Sequence, residues 1–166
     1  MQDINISNIQ ALEAMVHEAR KISIVTHQKP DGDAMGSSIA LYHYLKMCGK
    51  DSVRIILNDR YPGFLEFLSS DIPATDIILF QEMQETAEIL IQDSDLIFCL
   101  DFNAFHRTDG MESVLAGSKA AKLLIDHHLN PDRESFDLIF SETQVSSASE
   151  LLFHILLSHT AHQQRI

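Results

Sequence analysis

Short unbroken apolar runs alternate along this chain with stretches whose apolar positions recur at helical spacing. Ile9, Leu12, Met15, Val16 and Ala19 form the first stripe, and Ser7 stands where a helix through about Arg20 would be capped. Lys21 to Thr26 follows as a strand. Ser37 to Met47 reads as a helix turning Ile39, Ala40, Tyr44 and Met47 toward a sheet, with Gly49 as its stop. Ser52 to Leu57 is a second strand, Asn58 to Gly63 carries turn residues, and Phe64 to Leu68 makes one helical turn. Beyond a break around Pro73, a weak strand at Ile77 to Phe80 precedes a helix from about Glu82 to Ile91. Asp95 to Leu100 is the next strand. A short helix near Glu112 to Leu115 leads to strands at Ala120 to Ile125 and Asp137 to Phe140. Ser147 and Glu150 have capping-box spacing ahead of Leu151, Leu152, Ile155 and Leu156, which predicts a last helix. Strands alternating with helices imply a mostly parallel sheet with right-handed crossovers, and strands this uniformly apolar are buried on both faces. The expectation is an α/β, three-layer, doubly wound domain.

Composition narrows this without changing it. A chain of 166 residues, 45% hydrophobic and 22% charged, suits one globular domain spanning residues 1–166. Its net charge of −12 opposes broad attraction to phosphate backbones, so long-duplex nucleic acid is not an expected partner. Converging carboxylates that hold cations would reverse the sign locally and admit an anionic substrate. Cys48 and Cys99 lie far apart and suggest no disulfide framework; Cys99 sits in the run Leu96 to Leu100 as a small buried residue. With no basic-then-apolar amino terminus and no run long enough for a bilayer, the expected location is the cytoplasm, away from membranes.

The chemistry collects where strands end. In a parallel sheet all carboxyl ends share one edge, and three predicted strands stop there on metal-competent groups: His27 with Asp31 and Asp33, then Asp101, then Asp126, His127 and His128. Singly, each has a plainer role. Asp31 and Asp33 suit an Asx turn around Gly32, Asp101 a chain exit, and the two histidines a surface loop. Their co-occurrence at three strand ends favours metal. Carboxylate and imidazole without a nearby thiol favour Mn²⁺ or Mg²⁺, with Zn²⁺ or Co²⁺ open. Two cations roughly 3.5–4 Å apart would suit phosphoester hydrolysis.

Thr26-His27-Gln28-Lys29-Pro30-Asp31-Gly32-Asp33-Ala34-Met35-Gly36-Ser37 and Leu124-Ile125-Asp126-His127-His128 resemble motifs of the DHH phosphoesterase family. Leu100-Asp101-Phe102-Asn103 falls where that family carries its second motif, and Ser146 to Glu150 resembles the helix start of its nano-RNase branch. The resemblance covers residues from about 20 to 157. It implies an enzyme that cleaves short oligoribonucleotides or removes the 3′-phosphate of 3′-phosphoadenosine 5′-phosphate, using two Mn²⁺ ions (Mg²⁺ or Co²⁺ being alternatives). It further implies that His27, Asp31 and Asp101 hold one ion, that Asp33, Asp101 and His127 hold the second, and that Asp101 bridges. By the same resemblance Asp126 orients an imidazole, His128 faces the substrate phosphate, and Arg107 and Asn103 either touch phosphate or brace the loop. Ser37 and Ser38 are expected as caps at a helix start.

Two family features have no counterpart here: a fourth metal-binding aspartate beyond the Asp-His-His motif, and a second domain that grips substrate. The chain is therefore expected to be the amino-terminal domain of a longer enzyme. A non-catalytic metal- or nucleotide-binding fragment is the alternative, as are a cyclic-dinucleotide phosphodiesterase, an exopolyphosphatase and a pyrophosphatase; a homodimer is left open.

Overall fold

A computed structural model of the chain describes residues 4–165. Met1 to Asp3 and Ile166, included in the single-domain reading, lie outside the described residues. The strands are β1 (Lys21–Thr26), β2 (Ser52–Leu57), β3 (Ile77–Leu79), β4 (Leu96–Leu100), β5 (Ala121–Asp126) and β6 (Leu138–Ser141). The α-helices are α1 (Ile6–Glu18), α2 (Gly32–Met47), α3 (Gln84–Gln92), α4 (Glu112–Gly117) and α5 (Ala148–Gln163). The six strands form one parallel sheet in the order β3-β2-β1-β4-β5-β6, the doubly wound order with its switch point between β1 and β4. At that point the connections leave toward opposite ends of the sheet, which opens a crevice beyond the carboxyl ends.

Alternate strand residues feed two cores. Ile22, Ile24, Phe98, Leu100 and Ile125 pack with Leu12 of α1, Leu45 of α2 and Leu152 of α5. Val25, Ile97, Cys99 and Leu124 pack with Ile91 of α3 and Leu115 of α4 on the other face. Helices on both faces make three layers, and Cys99 is a free, buried thiol whose ionisation burial opposes strongly. Full burial of an apolar side chain is worth about 1.5–3 kcal/mol, so the strands anchor the loops that leave them.

The structure departs from the pattern most where the chemistry lies. The second helix begins at Gly32, five residues ahead of Ser37, because the Asp31 carboxylate accepts from the Ala34 amide at 3.0 Å and caps it. Ser37 and Ser38 are consequently buried inside α2 and donate back to carbonyls of Asp33 and Ala34 instead of capping. The buried face of α2 runs through Met35, Leu41, Tyr42 and Leu45, whereas Ala40 is exposed and Met47 is 84% exposed. Asn5, not Ser7, caps α1. The capping box of α5 is half formed: Ser147 accepts from the Glu150 amide, while the Glu150 carboxylate turns back to the amide and hydroxyl of Ser146. A 3₁₀ segment over Phe105–Met111, absent from the sequence pattern, leads from β4 into α4.

Candidate metal centre

Strand ends aim His27, Asp101 and Asp126 to His128, while the start of α2 places Asp31 and Asp33. His27 is the first residue beyond β1, Asp101 the first beyond β4, and Asp126 the last of β5. The register pairs Thr26 with Leu100 and Leu100 with Ile125, so the three exits stand side by side across the switch point. Asp101 leaves its strand with φ 64°, a left-handed conformation uncommon for a residue with a side chain; Lys29 (50°) and Asn130 (55°) in the neighbouring loops share it. Strained backbone of this kind persists where surrounding structure over-determines it.

Two groups of ligand atoms result, His27 with Asp31 and Asp101, and Asp101 with His127 and His128. Asp101, only 3% exposed, belongs to both. Its Oδ2 lies 3.4 Å from His27 Nε2, and its Oδ1 lies 3.1 Å from His127 Nε2. Asp31 Oδ1 is 3.7 Å from His27 Nε2. Asp33 falls outside both groups but comes close, its Oδ2 3.6 Å from His127 Nε2. His128 lies nearer the second group than a purely substrate-facing residue would: its Nδ1 is 3.9 Å from Asp101 Oδ1 and 2.6 Å from Asp126 Oδ1.

These residues fit divalent cations. His27 Nδ1 is 2.6 Å from the Gln28 carbonyl, which can only accept, so Nδ1 carries the proton and Nε2 turns a lone pair toward two carboxylates. That arrangement is repulsive unless a proton or a cation lies between. Its hydrogen bond to Asp101 raises the His27 imidazole above its ordinary range. Burial pushes the Asp101 carboxyl up in turn, against the opposing effect of His27. Asp126 is fully buried, its Oδ1 held by His128 and its Oδ2 without a hydrogen-bond partner among the described residues. Among the described residues no lysine or arginine pairs with Asp31, Asp33, Asp101 or Asp126, which leaves protonated imidazoles or a bound cation to balance them. Only oxygen and imidazole nitrogen donors are present, which suits hard or borderline divalent ions.

Asn103 and Arg107 act as loop braces. Asn103 Nδ2 donates to the Leu129 carbonyl, holding the loop after His128, and the Arg107 carbonyl accepts from the Gln28 amide. The Arg107 guanidinium has no hydrogen bond or ion pair among the described residues. Further supports escape sequence reasoning. Asn58, wholly buried after β2, accepts from the Gly110 amide and donates to Asp59, and Asp59 accepts from the Lys29 amide at 2.6 Å. A Cβ on Gly110 would stand 2.9 Å from the Phe80 ring, so that close approach requires glycine. The largest surprise is Asp33, whose carboxylate accepts from Ala148 and Ser149 at the start of α5. Burial works to raise the Asp33 carboxyl, but those bonds outweigh it and hold it below the usual range. Turn composition at Asn58-Asp59 and the serine-rich start of α5 were visible signals, yet neither says which loop it would meet.

Fold and site together define an α/β domain of the doubly wound class with a carboxylate–imidazole cluster that could hold metal ions at its switch point. Residues 21–166 match the model described as "DHH family, N-terminal domain", and the chain belongs to the DHH family, a family of metal-dependent phosphoesterases. The chain is 37% identical over 73 residues to the bifunctional oligoribonuclease and PAP phosphatase NrnA of Thermus thermophilus, a match covering 44% of this chain and 21% of that protein. It is 26% identical over 161 residues to the cyclic-di-AMP phosphodiesterase GdpP of Geobacillus thermodenitrificans, covering 88% of this chain and 22% of that one. A crystal structure of an exopolyphosphatase-related protein from Bacteroides fragilis superposes with a TM-score of 0.87 at 39% identity, covering 96% of this chain and 45% of that chain. The matches thus span about a fifth of each curated relative. Among the described residues no helix is long and apolar enough to cross a membrane.

Proposed function

We propose that this domain carries the two-cation centre of a phosphoesterase that cleaves short oligoribonucleotides and removes the 3′-phosphate of 3′-phosphoadenosine 5′-phosphate. The observation that carries the reading is Asp101, which turns one oxygen to His27 and the other to His127 and belongs to both ligand groups. His27, Asp31 and Asp101 would hold one Mn²⁺, and Asp101, His127 and Asp33 the other, with Mg²⁺ or Co²⁺ as substitutes. Divalent cations bound there supply a lowered pKa for water and neutralise charge on phosphoryl oxygens.

The chain's own residues do the rest. His128 Nδ1 donates to Asp126, which fixes the tautomer and leaves Nε2 for the substrate phosphate. Its side chain is 43% exposed, against 15% for His27, as a group that meets a diffusing substrate requires. The Arg107 guanidinium is free for a substrate phosphate, while Asn103 serves by bracing. Within the longer protein that the relatives suggest, residues 1–166 would be the metal-holding wall of the cleft, with the remaining aspartate and the substrate grip supplied by another segment.

A second reading, hydrolysis of a cyclic dinucleotide, is favoured by the match to the cyclic-di-AMP phosphodiesterase over 88% of the chain. Incubating the whole protein with Mn²⁺ and, separately, a diribonucleotide, 3′-phosphoadenosine 5′-phosphate and cyclic di-AMP separates the readings. Turnover of the first two ahead of the third is the expected result. Turnover of cyclic di-AMP alone would replace the substrate assignment, and inertness toward all three would overturn it.

A further inference from the structure

Asp33 differs from the other carboxylates of the centre in being gripped by a distant helix. The Ala148 amide donates to Oδ2 at 2.9 Å, and the amide and hydroxyl of Ser149 donate to Oδ1 at 2.9 and 2.6 Å. The Ser149 hydroxyl also lies 3.3 Å from the Asp33 carbonyl oxygen. A carboxylate offers about four lone-pair sites, so three donors leave roughly one. Both donors on Oδ1 come from Ser149, and the oxygen with spare capacity, Oδ2, is the one 3.6 Å from His127 Nε2.

We infer that Ser149 is a positioning residue: by holding Oδ1 it aims Oδ2 of Asp33 at His127 and so sets how tightly a cation is held between Asp33, Asp101 and His127. The inference rests on the metal reading above and adds to it the element that orients the ligand. A cap for α5 alone would not need this contact, because Ser147 already caps that helix through the Glu150 amide at 3.0 Å. Asp33 instead takes the two amides before it, those of Ala148 and Ser149, and ties α2 to α5 across 115 residues of sequence. The grip also couples the two partners: a cation that holds Asp33 in place steadies the start of α5, and α5 steadies the cation by the same factor.

Titration of the whole protein with Mn²⁺, followed by calorimetry and by electron paramagnetic resonance of the bound ion, tests this in Ser149→Ala, Ser149→Thr and Ser147→Ala. Ser149→Ala is expected to loosen one of two ions by roughly 10–100-fold, the usual cost of removing a group that orients a ligand, and to leave the other unchanged. Ser149→Thr keeps the hydroxyl and restores the affinity. Ser147→Ala removes the helix's own cap, lowers thermal stability and leaves both ions bound as before. Unchanged binding of both ions in Ser149→Ala overturns the inference while sparing the metal centre. Equal weakening in Ser147→Ala overturns it too, since helix stability would then be the cause. A wild-type protein that binds no Mn²⁺ refutes the metal reading itself and this inference with it.

Discussion

The two edges of this sheet use the same residue in opposite ways. At the amino edge, Asp95 stands just before β4 and accepts the amides of Arg20 and Lys21 at 2.9 and 2.8 Å, while Asp137 before β6 accepts the Lys122 amide at 2.8 Å. These carboxylates have amide donors of their own and lock the starts of strands. At the carboxyl edge, Asp101 and Asp126 face imidazoles in place of amides, Asp126 Oδ2 has no partner among the described residues, and Asp101 occupies a left-handed conformation. Aspartates bound by amides fasten strand starts; those at the carboxyl edge meet titratable imidazoles and are held there by a rigid sheet.

The sharpest way to break that contrast is to exchange a charge at each edge. Asp101→Asn keeps a residue that tolerates φ 64° and removes one negative charge from both ligand groups. On the proposed two-cation reading, turnover of a diribonucleotide should fall by ~10³-fold or more, because Asp101 is the group that would touch both cations. Thermal stability measured in EDTA should hold or rise, since a buried carboxylate lacking a cation is costly. Near-normal turnover would end the bridging role.

A pH series sharpens the comparison at smaller amplitude. The folded His27 imidazole is raised above its ordinary range by Asp101, so in metal-free protein its contribution is present below about pH 6.5 and lost as pH rises through its higher folded value. Cation binding has the opposite sign, because the proton on Nε2 must leave first. Mn²⁺ affinity, read by calorimetry, should climb about tenfold per pH unit up to that value. At the amino edge the Asp95 carboxyl is held below its usual range by the amides of Lys21 and Arg20, so its contribution fails only in acid, as pH falls through its folded value. Between pH 6 and 8 the Asp95 carboxylate stays ionised and adds no slope.

The smallest effect belongs to Asp95→Ala. Two amides at the start of β1 lose their acceptor, but the site is open to water, so the cost is about 1 kcal/mol, roughly 2–4 °C in Tm. Mn²⁺ affinity should not move. A drop in both would mean that the edges are not independent.

Which aspartates fall on which edge was legible from the chain, because a doubly covered parallel strand is a continuous apolar run and the residue after it must lie at the carboxyl edge. His27, Asp101 and Asp126 follow from the runs at Ile22–Val25, Leu96–Leu100 and Leu123–Ile125. The pattern starts the second helix five residues late because Pro30-Asp31-Gly32-Asp33 has the composition of a loop, and only the Asp31 carboxylate meeting the Ala34 amide makes it a cap. The same cause makes Ser37 and Ser38 look like caps when they lie inside the helix.

The sequence by itself determined the strands, their exits and the donor types at those exits, since burial on two faces and local chemistry are written in consecutive residues. Tertiary structure decided that β1 lies beside β4, which brings Thr26 level with Leu100 and lets Asp101 reach both His27 and His127. It decided equally that Ser149 would hold Asp33 and Asn58 would hold Gly110. Such contacts span 116 and 52 positions of sequence. No local pattern encodes them, because the free energy of closing those loops comes from the packing of the whole sheet.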